Sequence, residues 1–178
     1  MDDIWITALS TFSSTREKIL EHRFIAVVTA ELWRRGHFDF AVSHSEVDNS
    51  GYDVILEIGA VTRHVQLKAM QAGGMRRDFG LQVRLQSKPS ACAVLMLHEP
   101  RTLAISGWRF FGGAPGEVLP DLGERAVRHT KGDRTGFKAD RPALRSVPIA
   151  RFDPVPNVAS LVDRLFGAAA LGIDQASA

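Results

Sequence analysis

A short apolar run between two prolines restricts the fold more than any other feature of this sequence. The run extends from Ala91 to His98 and is apolar up to its last residue, with Pro89 and Pro100 on either side. Its length suits a strand better than a helix, and the lack of polar alternation is typical of a central strand that is covered on both faces. The run therefore predicts a sheet with packing elements on each side.

A long helix is predicted ahead of this strand. Apolar side chains recur at three- and four-residue intervals from Leu20 to Leu32, and Gly36 is a typical helix stop. Hydroxyl side chains at positions 13 to 15 can cap the first turn. The helix is therefore expected to run from there to about Arg35, after a short lead-in over residues 1–12.

Alternation and turn residues predict the remaining elements. Strands are expected at residues 38–42, 52–58, 61–70 and 102–111, with the second and third paired as a hairpin around Gly59. Residues 79–87 favour a short helix, residues 117–138 a loop, and residues 158–166 a closing helix that ends at Gly167. The predicted fold class is α/β, with a mixed sheet flanked by helices.

Composition limits the class of protein. The chain has 178 residues, 45% of them hydrophobic and 24% charged, which is typical of one globular domain spanning residues 1–178. The core is expected at about 17–98, a basic loop and closing helix at 99–170, and a frayed end at 172–178.

The N-terminus lacks the pattern of a signal peptide, and no stretch approaches the ~20 apolar residues of a membrane helix. We therefore expect a cytoplasmic protein, with the single Cys92 as a buried thiol.

The chemical candidates lie on the predicted hairpin. Residues two apart in a strand share a face, so Gln66 and Lys68 should point the same way. A hairpin centred near residue 60 pairs positions whose numbers sum to about 121, which sets Asp53 near Lys68. The Asp53 carboxylate, the Gln66 amide oxygen and the Leu67 carbonyl are hard ligands of the kind that Mg²⁺ or Mn²⁺ prefers. Lys68 can orient or deprotonate a water, or stabilise negative charge in a transition state.

The pattern of Asp53 followed by Gln66-x-Lys68, on adjacent strands after a long helix, resembles the PD-(D/E)XK nuclease superfamily over about residues 17–98. The resemblance implies a restriction-endonuclease-like core in the order α-β-β-β-α-β and metal-dependent cleavage of nucleic acid, of DNA more than RNA. Gln66 stands where the family usually has an acidic residue, and Tyr52 stands where the family name has proline.

Many members of this superfamily add a glutamate from the first helix to the site. Glu21 is the favoured counterpart, because it lies in register with the apolar face of the predicted helix. A carboxylate on that face is costly unless it meets a metal or a base. Glu17 and Glu31 are its competitors. The predicted metal ligands are therefore Asp53, Gln66 and Glu21.

Basic residues in the second half of the chain indicate a polyanion partner. Residues 123–151 hold eight basic and three acidic residues, a local excess of five positive charges. A solvated surface loop explains the same charges. The residues expected to contact phosphates are Arg76, Arg77, His129, Lys131, Lys138 and Arg141. By analogy with small nucleases, a homodimer is also expected.

Two alternatives to an active nuclease remain at this point. The neutral Gln66 weakens the metal site, so the chain is alternatively a catalytically inactive nuclease-fold module that binds nucleic acid or a protein. The second alternative is an unrelated α/β enzyme in which the spacing of Asp53 and Lys68 is chance. That alternative expects their side chains on opposite faces of the hairpin.

Overall fold

Three helices and nine strands make up the part of the chain that the computed structural model describes, residues 3–44, 50–128, 139–167 and 171. The helices are α1 (Asp3–Thr11), α2 (Ser13–Arg34) and α3 (Val158–Phe166). The strands are β1 (Phe40–His44), β2 (Val54–Ile58), β3 (Val61–Gln71), β4 (Asp78–Gln82), β5 (Ala91–His98), β6 (Ile105–Gly112), β7 (Ala126–Arg128), β8 (Asp140–Pro148) and β9 (Asp153–Val155). Short 3₁₀ helices span Val83–Ser87 and Ile149–Arg151.

The strands form two sheets. Six strands pair in the order β1-β2-β3-β5-β6-β9, and three pair in the order β4-β8-β7. The β3–β5 pair is parallel and the other pairs of the large sheet are antiparallel, so that sheet is mixed. Helices flank it, which confirms the predicted fold class.

Strand β5 lies at the centre of the packing, as its apolar run predicted. Cys92, Val94 and Met96 belong to one buried cluster, which α2 and α3 cover. Ala93 and Leu95 belong to a second cluster on the opposite face, with residues of the small sheet. Alternate residues of a strand point to opposite faces, so β5 holds both halves of the core together. Each large apolar side chain buried there contributes roughly 1.5–3 kcal/mol.

The helices also follow their apolar periodicity. The buried face of α2 carries Leu20, Phe24, Val28 and Leu32, which pack against the large sheet. Helix α3 lies on the same side and ends at Gly167, whose φ of +76° favours glycine. None of the described helices is long and apolar enough to span a membrane.

The hairpin of β2 and β3 forms in a register different from the predicted one. Val54 pairs with Val65 and Ile58 with Val61, so paired numbers sum to 119 rather than 121. The shift is two residues, and the side-chain alternation of a strand also has a period of two. Each side chain therefore stays on its expected face, while Asp53 moves from a position opposite Lys68 to one opposite Gln66.

Several local predictions were wrong. The expected lead-in contains α1, and no hydroxyl side chain caps α2 because the backbone bridges the two helices: Phe12 N–H donates to Ala8 O at 2.9 Å and Arg16 N–H to Phe12 O at 3.0 Å. The expected helix at 79–87 is strand β4 followed by a 3₁₀ turn. Part of the expected loop at 117–138 is strand β7, and residues 129–138 lie outside the described chain, as does the expected frayed end.

Candidate active site

Asp53 lies immediately before β2, where it extends the pairing with β3. Its backbone N–H donates to Val65 O at 2.9 Å, and its carboxylate accepts from Leu67 N–H at 2.6 Å. Strand β2 begins only at Val54, so the carboxylate takes the place that a strand carbonyl would fill for the Leu67 amide. This hydrogen bond fixes the carboxylate at the edge of the sheet.

Burial shifts the pKa values of Asp53 and of its neighbour Lys68 in opposite directions. Burial raises the pKa of Asp53, an effect that the Leu67 amide and the Lys68 ammonium partly offset, and the nearby Glu21 carboxylate raises it further. Burial lowers the pKa of Lys68, Asp53 opposes that shift, and the positive charge of Arg76 adds to it. Both groups are therefore easier to switch between charged and neutral forms than exposed ones.

These two side chains line a single cavity of about 530 Å³. The first turns of α2 form one wall, the small sheet forms another, and β3 and β5 contribute the floor. The acidic residues that line it are Glu17, Glu21 and Asp53. The basic ones are Arg16, Lys18, Lys68, Arg76 and Arg141. The cavity thus mixes carboxylates with an excess of cations, which suits a ligand that carries both phosphate and metal.

Glu21 is the helix glutamate that reaches this cavity from a buried position, at 8% exposure. Its carboxylate lies 3.0 Å from Lys18 Nζ and 3.1 Å from His44 Nδ1. Glu17 also lines the cavity, but its side chain is 68% exposed. Glu31 does not line it and is bound by arginines near the other end of α2.

His44 is a neighbour of this site that the sequence patterns did not single out. It is the last residue of β1, and it pairs with Val54, next to Asp53. The one available signal was its position two residues after the strand predicted at 38–42, which precedes the hairpin. This signal becomes informative only when the pairing of β1 with β2 is known.

Gln66 takes a position different from the predicted one. It is 4% exposed, is not among the residues that line the cavity, and its Oε1 accepts a hydrogen bond from Gln82 N–H at 3.1 Å. The amide therefore links β3 to β4 between the two sheets. A carboxylate buried at this point would carry a desolvation penalty that a neutral amide avoids. Gln66 thus lies opposite Asp53 across the hairpin, but its side chain does not line the cavity with Asp53 and Glu21.

The basic candidates separate into two groups. All three arginines among these candidates are exposed, and of these Arg76 and Arg141 line the cavity while Arg77 does not. Arg76 Nε donates to Asp78 O at 2.8 Å, and its guanidinium lies 4.6 Å from the centre of the Phe79 ring. The remaining candidates lie outside the described residues: His129, Lys131 and Lys138.

The donor set fits a hard cation. Within the described ranges, no three or more His, Cys, Asp or Glu side chains are grouped as a metal site. Mg²⁺ does not require such a cage, because it commonly binds one or two carboxylates together with water and substrate phosphate. Asp53 and Glu21 line the same cavity and interact electrostatically, which meets that requirement.

No protein-family model matches this chain, and no curated protein matches it. Among solved structures, the chain is similar to Hjc, a Holliday junction resolvase from the archaeal hyperthermophile Archaeoglobus fulgidus. The two share 16% sequence identity with a TM-score of 0.39, over 74% of this chain and 94% of that one.

Proposed function

We propose that this protein is a metal-dependent nuclease that hydrolyses phosphodiester bonds, with DNA favoured over RNA. One observation carries the proposal: the Asp53 and Glu21 carboxylates and the Lys68 ammonium converge on one cavity with a basic rim. Hydrolysis of a phosphodiester needs the same three elements, namely ligands for a hard cation, a group that serves the water, and positive charge for the phosphate.

Each residue has a distinct part in the proposed reaction. Asp53 and Glu21 would hold Mg²⁺ or Mn²⁺, which when bound neutralises phosphate charge and acidifies water. The Leu67 amide keeps the Asp53 carboxylate oriented toward the cavity. Lys68, with its pKa lowered by burial, would take a proton from the attacking water or stabilise charge on the phosphate oxygens.

Other residues support these groups. Lys18 and His44 hold Glu21 in place through contacts of 3.0 and 3.1 Å. Gln66 would link β3 to β4 rather than bind the metal directly, since its side chain does not line the cavity and its oxygen accepts the Gln82 amide. Arg76 and Arg141 would contact phosphates beside the scissile one. Similar contacts by His129, Lys131 and Lys138, a homodimeric state and a cytoplasmic location stay predictions, whereas Arg77, which lies outside the cavity, is not assigned a phosphate contact in this proposal.

A cleavage assay tests the proposal. Single-stranded, duplex and branched DNA, and matching RNA, are incubated with Mg²⁺, with Mn²⁺ and with a chelator. We expect cleavage that requires the metal and that is lost in both Asp53→Ala and Lys68→Ala. Wild-type levels of cleavage in both variants would sink the proposed mechanism. Faster cleavage of RNA than of DNA would reverse the substrate assignment.

A second candidate is a nuclease-fold module that binds nucleic acid, or a protein partner, without cleaving. The neutral Gln66 and the small number of carboxylates that line the cavity favour it. Calorimetric titration with Mn²⁺ separates the two candidates. A protein that binds DNA, takes up no Mn²⁺ and shows no cleavage is the binding module.

A further inference from the structure

We propose that the Lys18 ammonium exchanges between two partners: it pairs with Glu21 while no metal is bound, and it contacts a substrate phosphate once a metal ion has taken its place. The inference rests on the proposed nuclease function and assigns to one residue of the same cavity a coupling between metal uptake and substrate binding. It is carried by the contacts of the Glu21 carboxylate, by the exposure of Lys18 and by the lining of the cavity.

Lys18 contacts both oxygens of the Glu21 carboxylate. Its Nζ donates to Oε1 at 3.1 Å and to Oε2 at 3.0 Å, while His44 Nδ1 lies 3.1 Å from Oε1. Among the residues that the structure describes, Lys18 is therefore the partner of Oε2. Carboxylate oxygens are also the atoms that a hard cation binds. A metal ion that binds Oε2 must displace the Lys18 ammonium, whereas His44 can keep its contact with Oε1.

The positive charge of Lys18 also acts on Asp53, the second proposed metal ligand. Burial has the largest influence on the pKa of Asp53 and raises it, whereas the Lys18 ammonium is among the groups that lower it. A positive charge that favours the ionised forms of these carboxylates does part of what a bound cation does. Lys18 and the metal thus compete for the same negative charge, so removal of Lys18 should make the metal bind more tightly.

The Lys18 side chain can leave Glu21 at little cost. It is 70% exposed, and exposed ion pairs contribute little to stability because solvent screens them. Arg35, which binds the other buried glutamate of α2, differs in both respects. Its side chain is 12% exposed and also contacts Asp163 at 2.6 Å. The contact of Lys18 with Glu21 is therefore the one that a divalent cation can replace.

The displaced ammonium stays within reach of a substrate in the cavity. Lys18 lines the cavity together with Arg76 and Arg141, and the aliphatic stem of a lysine is flexible. A phosphate that enters the cavity offers the released ammonium a charged partner in place of Glu21. Metal uptake should therefore strengthen substrate binding, and substrate should strengthen metal uptake by the same factor, because coupling between two ligands is reciprocal.

A matched pair of variants tests the competition with the metal. Lys18→Met removes the ammonium and keeps a long side chain with a high helix preference. Arg23→Met is the control, because Arg23 is an exposed cation on the same helix and does not line the catalytic cavity. Mn²⁺ binding is measured by calorimetry without DNA. We expect Lys18→Met to bind Mn²⁺ about threefold more tightly than the wild-type protein, the scale of an exposed ion pair, and Arg23→Met to bind it as the wild-type protein does.

A second measurement tests the transfer of Lys18 to phosphate. Binding of an uncleavable DNA oligonucleotide is followed by anisotropy at several salt concentrations, with Mn²⁺ and without it. The change in salt dependence on addition of Mn²⁺ includes any contact of the metal itself with phosphate, which all three proteins share. In Lys18→Met this change should be smaller by about one phosphate contact than in the wild-type protein and in Arg23→Met.

The possible outcomes separate the inference from the nuclease proposal. If Lys18→Met binds Mn²⁺ no more tightly than the wild-type protein, or shows the same change in salt dependence, the inference is overturned and the nuclease proposal stands. Absence of Mn²⁺ uptake by the wild-type protein, with and without the oligonucleotide, would overturn both together.

Discussion

The two ends of helix α2 each bury a glutamate, and the two glutamates have different surroundings. Glu31 is 7% exposed and accepts hydrogen bonds from Arg34 and Arg35 at 2.6–2.7 Å. Arg35 also contacts Asp163 of α3 at 2.6 Å, so this end of the helix joins two elements of the core. Glu21 is 8% exposed, contacts Lys18 and His44, and lines the cavity with Asp53.

The difference shows that burial of a carboxylate does not by itself identify a site. The arginines beside Glu31 lower its pKa to about 2, so its charge is fully compensated within the protein. Glu21 shares its cavity with a second carboxylate, Asp53, and the negative charge of Glu21 contributes to raising the pKa of Asp53. A cation from solution would relieve that repulsion, and for this reason we propose that this end of the helix is the functional one.

The largest expected effect on the cleavage rate comes from substitution of Asp53 or Lys68, which line the cavity together with Glu21. Asp53→Asn and Lys68→Ala should each lower the single-turnover cleavage rate by about a thousandfold, within the range for loss of a proton-transfer or charge-stabilising group. Thermal unfolding of both variants, measured alongside, separates a loss of catalysis from a loss of stability, because Lys68→Ala leaves the buried Asp53 without its cationic neighbour. A variant that unfolds early would assign the loss of activity to stability instead.

The comparison of the glutamates is tested directly by two conservative variants. Glu21→Gln should lower the cleavage rate by about a hundredfold, because it removes a charged ligand from the site. Glu31→Gln removes the same charge from the same helix and should change the rate by less than about twofold. Equal losses of activity in the two variants would remove the distinction between the ends of α2.

The two variants should affect stability in the opposite order to their effect on the cleavage rate. Glu31→Gln should lower the free energy of unfolding by about 2 kcal/mol, the usual contribution of hydrogen bonds to charged groups. Glu21→Gln should lower it less, because it also relieves repulsion with Asp53. Urea unfolding measures both values. A larger loss in Glu21→Gln would identify Glu21 as the structural glutamate.

The pH dependence of stability sharpens this prediction. The folded pKa of Glu31 is about 2, below its ordinary value of 4.5, so the folded state binds the proton less readily than the unfolded state. Its contribution is therefore complete above about pH 4.5 and lost as the pH falls toward 2. Glu31→Gln should lack this part of the acid-induced loss. An identical acid profile in the variant would contradict the pairing.

The smallest expected effect concerns the basic rim. Arg76→Ala should raise KM by about tenfold and reduce the salt dependence of DNA binding by about one phosphate contact. Arg77→Ala should leave KM nearly unchanged, because its side chain lies outside the cavity. Anisotropy titrations at several salt concentrations measure both. Equal effects would assign the two arginines to one general basic surface.

The sequence allowed prediction of the elements with strong periodicity. Helix α2, the hairpin, β5 and α3 each have an apolar pattern that is independent of the rest of the chain. The exact pairing of the hairpin was not predictable to the residue, because alternation alone does not distinguish registers that differ by two. The faces of Asp53 and Lys68 were therefore right while the predicted partner of Asp53 was wrong.

The second wall of the site was not predictable from the same patterns. Strands β4, β7 and β8 are separated in the sequence, two of them have five residues or fewer, and β8 contains Pro142 and two arginines. Their pairing is a tertiary effect that overrides weak local preference. The burial of Gln66 against β4 depends on this pairing. The position of Gln66 outside the cavity was therefore not predictable from the sequence, for the same physical reason.

Metal uptake tests the central claim most directly. Mn²⁺ binding is measured by calorimetry on the wild-type protein and on Asp53→Asn, Glu21→Gln and Glu31→Gln, each with an uncleavable oligonucleotide present. The wild-type protein and Glu31→Gln should bind Mn²⁺ equally, while the other two variants should lose most of that binding. Unchanged binding in Asp53→Asn and Glu21→Gln, or none in the wild-type protein, would contradict a metal site formed by these two carboxylates.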